Sequence, residues 1–159
     1  MTGEELASLE QARDSLEQGR EKALSIQCVN NLKQIGLAAR IWASDNQDTY
    51  PPDFLSMSKQ LYSPKILVCP ADTNRAIAAT FAIYTDANCS YEFLARSGSG
   101  LGPTHVLTRC PVHGHVGLCD GSAQSAAWKE HPDWFVQRGN RLYFEPPNTQ
   151  SEPAKATKP

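Results

Sequence analysis

Apolar positions divide the first 46 residues into two unlike halves. Leu24, Cys28, Leu32, Ile35, Ala39 and Trp42 recur at steps of three and four. On a helix this spacing gives a broad face, wide enough to cover a sheet. Ahead of it, Leu6, Leu9, Leu16 and Ala23 make only a thin stripe among charges. Such a stripe is too narrow for full burial and fits an exposed helix or a seam between helices. No proline interrupts Thr2 to Asn46, and good helix formers dominate it. Thr2 followed by Glu5 is a capping-box pattern, and Glu4 and Glu5 suit the positive end of the helix dipole. One long helix is therefore predicted over 1–46, ending in Ser44–Asp48 before Tyr50-Pro51-Pro52. Gly36 inside it costs about 1 kcal/mol relative to alanine, so a close backbone approach is expected there.

Beyond the helix the apolar runs shorten. Asp53 to Leu61 reads as a short helix capped by Asp53. Lys65 to Cys69 reads as a buried strand stopped by Pro70. Thr80–Tyr84, Ser90–Ala95 and His105–Cys110 are further strand candidates, with a flexible loop over Ser97–Pro103. Asp120-Gly121 between His115–Cys119 and Ser122–Ala127 predicts a two-residue hairpin turn, in which both central positions need positive φ. A last hairpin is expected around Gly139-Asn140, from Trp134–Val136 and Arg141–Phe144. The fold class is α+β, a long N-terminal helix packed on a small antiparallel sheet. The organisation is the helix over 1–46, a globular domain over 47–145 and a proline-rich, disordered tail over 146–159.

Composition narrows the function classes. The chain has 159 residues, 40% hydrophobic and 20% charged, with a formal charge of −2. No concentrated basic run offers the footprint that phosphate backbones require, which argues against nucleic acid as a partner. No stretch approaches the roughly 20 apolar residues of a membrane helix. Met1–Glu10 lacks the basic start and apolar core of a signal peptide, so no export address is expected in it. The five cysteines, Cys28, Cys69, Cys89, Cys110 and Cys119, are an odd number. They allow one or two bridges with a free thiol, or none.

Several segments, taken in order, resemble a known family. Cys28-Val-Asn-Asn-Leu-Lys-Gln-Ile-Gly-Leu-Ala-Ala39 is similar to the end of the N-terminal helix of bacterial pseudopilins of the type II secretion class, which are type IV pilin-like proteins. The likeness is greatest to the planctomycete and verrucomicrobial branch with a C-terminal His…Asp-Gly motif. Asp45-Asn46 and Tyr50-Pro51-Pro52, Cys69-Pro70 with Asp72, Ser90-Tyr91, and Cys110-Pro111-Val112-His113 leading to Asp120-Gly121-Ser122 follow in the family's order. The resemblance spans roughly residues 23 to 127. It implies a pilin-like fold, a periplasmic or envelope location, and a structural subunit of a secretion pseudopilus without enzymatic activity. Its implied partners are other pseudopilin subunits or secretion-system proteins. Family members normally begin with a basic leader and a strongly apolar helix that anchors them in the inner membrane. Here Thr2 to Arg20 is charged instead, which leaves a soluble relative or a chain whose membrane half is absent.

The candidate chemistry lies mostly among the cysteines and histidines. Cys110, His113, His115 and Cys119, with Cys69 as a further candidate, are ligand types that suit tetrahedral zinc, though not at a standard knuckle spacing. A Cys69–Cys110 disulfide is the alternative. Both are Cys-Pro at a strand end, and the envelope that the resemblance implies is oxidising. The bridge would close a loop of about 40 residues, on the order of 3–4 kcal/mol of chain entropy. Cys28 reads as a small core residue, while Cys89 pairs with Cys119 or stays free. A Cys–His nucleophile would need a thiolate beside a base and an oxyanion hole, and no such signature accompanies these residues. Asp120 is a turn residue or a calcium ligand. Asp45, Asn46 and Asp48 lack the Gly and distant Glu of an EF-hand. The balance is a protein without a cofactor, with calcium and zinc as the alternatives. Leu6, Leu9, Leu16, Trp128 and Trp134 are the interface candidates. Two function classes follow: an assembly subunit of a pseudopilus, or a small Cys/His metal-binding or interaction module on a pilin-like fold. A native Cys69–Cys110 bridge favours the first, and zinc that resists dialysis favours the second.

Overall fold

The computed structural model describes residues 2–147. The tail expected over 146–159 lies, beyond Pro147, outside the described residues. Helix α1 runs over Gly3–Ser44, and Thr2 and Glu5 close the capping box in both directions. The helix has the two halves that its pattern predicts. Residues 2–23 are exposed throughout, a projecting rod about 30 Å long at 1.5 Å per residue. From Cys28 onward the helix buries Leu32, Ile35, Gly36, Ala38, Ala39 and Ala43, with Leu24 and Trp42 half-buried at the edges of that face. Among the described residues, no helix is long and apolar enough to cross a membrane.

The second half of α1 lies on a four-stranded antiparallel sheet of order β1-β2-β3-β4: Glu92–Phe93, Val106–Arg109, Val116–Leu118 and Ala123–Gln124. Alternation along β2 sends Leu107 to the core under α1 and Val106 to a second core on the opposite face. That second core is completed by a separate hairpin, β5 (Phe135–Arg138) and β6 (Arg141–Phe144), and by the short helix α3 (Ala127–Glu130). A short helix α2, Ser58–Leu61, packs against α1. The architecture is α+β, with the long helix on one face of a small antiparallel sheet.

Several expected strands take other forms. Lys65–Cys69 is not a strand: Pro64–Leu67 form a 3₁₀ turn, since Pro64 opens it with a preset φ and the Ser63 hydroxyl accepts from the Lys65 N–H. Thr80–Tyr84 is likewise a 3₁₀ turn over Phe81–Ile83. The strand in Ser90–Ala95 shrinks to β1: the Ser90 N–H donates to the Leu67 carbonyl at 2.9 Å, and its hydroxyl bonds the Cys69 N–H and Asp72. Asp53–Leu61 splits into a 3₁₀ turn over Leu55–Met57 and then α2. Its expected cap holds, with the Asp53 carboxylate accepting from the Ser56 N–H. The β3–β4 connection is a three-residue loop, Cys119-Asp120-Gly121, closed by the Leu118 N–H on the Ser122 carbonyl. Only Gly121 (φ +92°) is left-handed there, the pattern of a turn followed by a glycine bulge.

The close approach expected at Gly36 is present. A Cβ there would lie 3.3 Å from the Gly121 Cα, so helix and turn meet backbone to backbone. Gly36→Val is therefore expected to push the β3–β4 loop off the helix and cost about 1–3 kcal/mol. Gly19, with nothing within 4 Å, is the contrast: Gly19→Ala should gain up to about 1 kcal/mol of helix stability. Urea unfolding of the two variants gives opposite shifts of the midpoint if the two halves of α1 differ as described.

Candidate metal centre

Four side chains from distant parts of the chain converge under α1. Cys28 comes from the middle of the helix, Cys69 from the end of the 3₁₀ turn, Cys110 from the end of β2 and His113 from the loop after it. Their ligand atoms all lie within 4.8 Å of one another. The His113 Nδ1 is 3.2 Å from the Cys69 Sγ and 3.9 Å from the Cys110 Sγ. The three cysteines are fully buried and His113 is half-buried. Tetrahedral zinc with Zn–S near 2.3 Å spaces its sulfurs about 3.8 Å apart, so the cluster has the dimensions of a Cys₃His site that could hold a metal.

The local chain explains how the sulfurs come to point inward. Cys69 and Cys110 each precede a proline that turns the chain, and the turn aims a backbone N–H at the sulfur. The His113 N–H donates to the Cys110 Sγ at 3.4 Å, and the Ala71 backbone does the same for Cys69. The Cys69 N–H is held by the Ser90 hydroxyl, which donates to Asp72. On the helix side the Tyr91 hydroxyl donates to the Cys28 Sγ at 3.5 Å.

Electrostatics follow from the crowding of three sulfurs in a dry pocket. Hydrogen bonds from the Cys28 and Cys69 thiols, then from His113, hold the Cys110 thiol far below its usual range, at about 2. Sharing a proton with Cys110 pushes Cys28 up, and the same neighbour pushes Cys69 up to about 11. Cys110 is thus the most acidic sulfur of the three. A divalent cation held there would displace the thiol protons; three thiolates and a 2+ ion sum to −1, a charge that the N–H and hydroxyl groups aimed at the sulfurs would offset.

Two of the four expected ligands fall in this cluster and two do not. Cys110 and His113 belong to it, as does the further candidate Cys69. His115 stacks on His113 with ring centroids 4.8 Å apart, but both its nitrogens are committed. Its Nδ1 accepts from the Ala126 N–H at 2.7 Å, so its Nε2 carries the proton and donates to the Ser25 hydroxyl at 2.9 Å. Burial, and then His113, keep this imidazole below its usual pKa and therefore neutral. With its proton directed at Ser25, His115 is a brace between α1 and β3 and is not set to deprotonate Ser25. Cys119 lies elsewhere, beneath Tyr50, whose hydroxyl donates to the Cys119 carbonyl. Cys28, taken from the sequence for a core residue, is the missed member of the cluster. Its place on the buried stripe concealed it, since a buried helical cysteine looks the same with or without partners.

The five cysteines are free in the structure, and Cys69 and Cys110, the pair considered for a disulfide, sit side by side in the cluster. Cys89 and Cys119 are unpaired as well. Asp120 spends a carboxylate oxygen on the Ser122 N–H and hydroxyl, at 2.8 and 2.6 Å, and its carbonyl accepts from Arg40. It works as a turn residue. Among the interface candidates, Trp128 is covered by Arg109, 4.2 Å above its ring, and by Phe135. Trp134 stacks on His131 at 3.6 Å. Both are half-buried within the chain. Leu6, Leu9 and Leu16 are exposed at 50%, 56% and 75%.

The chain matches no family model, no curated protein and no solved structure.

Proposed function

We propose that this chain is a non-catalytic assembly subunit, pseudopilin-like in fold and role, whose head is fastened to its helix by a structural zinc ion held by Cys28, Cys69, Cys110 and His113. The observation that carries this is the closure of the site. Four protein side chains would fill all four positions of a tetrahedral zinc, and a structural zinc centre differs from a catalytic one in leaving no position for substrate. The donor set, three sulfurs and one imidazole, suits zinc better than calcium, which takes oxygen ligands. A closed centre of this kind fastens parts together. It joins the helix, the 3₁₀ turn and the end of β2, three segments with little regular hydrogen bonding between them. The metal-binding module and the assembly subunit are thus one proposal: zinc secures the head, and the projecting half of α1 is the part that assembles.

The resemblance of residues 23 to 127 to type II secretion pseudopilins supplies the role, an envelope location, and partners that are other pseudopilin subunits. Zinc-bound thiolates are compatible with an oxidising envelope, because coordination withholds the sulfurs from pairing. Two measurements test the proposal. Purified protein is expected to carry one zinc per chain through dialysis, with Cys28, Cys69 and Cys110 resisting alkylation until a chelator is added; a metal-free protein with a Cys69–Cys110 bridge removes the zinc. A photo-crosslinker at Leu9 or Leu16 is expected to join pilin-like subunits in cells. Crosslinks confined to unrelated proteins remove the assembly role and leave the metal centre standing.

A further inference from the structure

The three sulfurs of the centre are not held alike. Cys69 and Cys110 sit in proline turns that present backbone N–H groups to them. Cys28 is in mid-helix, where its own backbone N–H is used by the helix and cannot turn toward the sulfur. Its outer-shell donor is instead a side chain, the Tyr91 hydroxyl at 3.5 Å. Tyr91 is 6% exposed, so its hydroxyl is held inside the core beside the sulfur. The hydroxyl oxygen is fixed in turn by the Asn31 amide, whose Nδ2 donates to it at 3.2 Å and to the Val68 carbonyl at 3.3 Å. Asn31 stands three residues beyond Cys28, so both lie on the same side of α1. Val68 immediately precedes Cys69. The chain of contacts therefore runs from one ligand, through Tyr91 and Asn31, to the backbone beside another.

We propose that Tyr91 is the positioning residue of the centre: its hydroxyl, held by Asn31, orients the Cys28 sulfur and stabilises its thiolate, and so admits the helix as the fourth arm of the metal site. This rests on the zinc reading above. A donated hydrogen bond from a fixed neighbour orients the ligand that accepts it. Losing an outer-shell partner of this kind typically costs 10–100-fold in metal affinity.

The test is Tyr91→Phe in the full chain, which keeps the ring in the core and removes only the hydroxyl. Zinc affinity, measured by competition with a chromophoric chelator, should fall about 10–100-fold. Cobalt(II) in place of zinc should show a shifted thiolate-to-metal charge-transfer band, which a purely structural role would leave in place. Far-UV circular dichroism of the metal-free proteins should coincide. Asn31→Ala should move affinity and spectrum the same way by a smaller amount, and it decides the matter if Tyr91→Phe does not fold. Unchanged affinity with an unchanged cobalt spectrum overturns the role of Tyr91 while the zinc site stands. A wild-type chain that takes up neither zinc nor cobalt overturns both.

Discussion

Cys110→Ser is expected to release the metal and lower the thermal midpoint by roughly 10 °C or more. Cys110 is the centre's hub, the sulfur toward which Cys28, Cys69 and His113 all direct hydrogen bonds. Serine is close in size but does not ionise in this range, so zinc loses its best thiolate and the three remaining groups cannot complete a tetrahedron. Structural zinc supplies on the order of 10 kcal/mol in small domains. A larger core shares the burden here, and a loss of about 4 kcal/mol translates to roughly 8–16 °C in a chain of this size. Cys119→Ser is the control, because Cys119 is equally a buried cysteine and lies outside the cluster. It should keep one zinc per chain. Chelator should lower the wild-type midpoint to that of Cys110→Ser and leave the variant unmoved. Full zinc content in Cys110→Ser would eliminate the four-ligand centre.

Leu32→Ala should cost about 2–5 kcal/mol, whereas Leu16→Ala should stay within about 0.5 kcal/mol. The two leucines share one helix and differ only in what surrounds them. Leu32 is fully buried, in the core that also holds Leu107, Cys110 and Met57. Truncating it opens a cavity at the helix–sheet contact, beside the Cβ of Leu32 that faces Gly117. Leu16 is 75% exposed on the projecting half, so its removal takes away little that the isolated chain uses. Denaturant unfolding of dilute protein measures both. Equal costs at the two positions would mean that the first half of α1 is packed against something, contrary to its exposure.

The helix was legible in detail because its signals are local. The capping box needs only Thr2 and Glu5, the stripe needs only the order of apolar residues, and Gly36 declared a close approach by its cost alone. The short segments between 63 and 93 were less legible, since their apolar runs of three or four residues suit a strand or a tight turn equally. Side-chain bonds to backbone, such as Ser63 to Lys65 and Ser90 to Cys69, decided them. The metal centre was half legible. Cys110-Pro-Val-His113 announces itself by spacing, and Cys69-Pro by analogy with it. Nothing local marks Cys28, because its role exists only once α1 crosses the ends of the two turns. His115 was drawn in by proximity along the chain, although strand alternation and its bond to Ser25 carry it to a different duty.

A metal held at the centre would also govern how the molecule bears load. Its ligands join the helix at residue 28 to chain positions 69, 110 and 113, so tension applied along the projecting rod enters the head at a rivet ahead of the sheet. Without that rivet the pull would fall on apolar contacts that slide past one another in sequence, each a small barrier. With a metal bound as proposed, metal–sulfur bonds would have to yield before the helix could shear from its bed. A subunit drawn upon through its stem would then fail by losing its metal first.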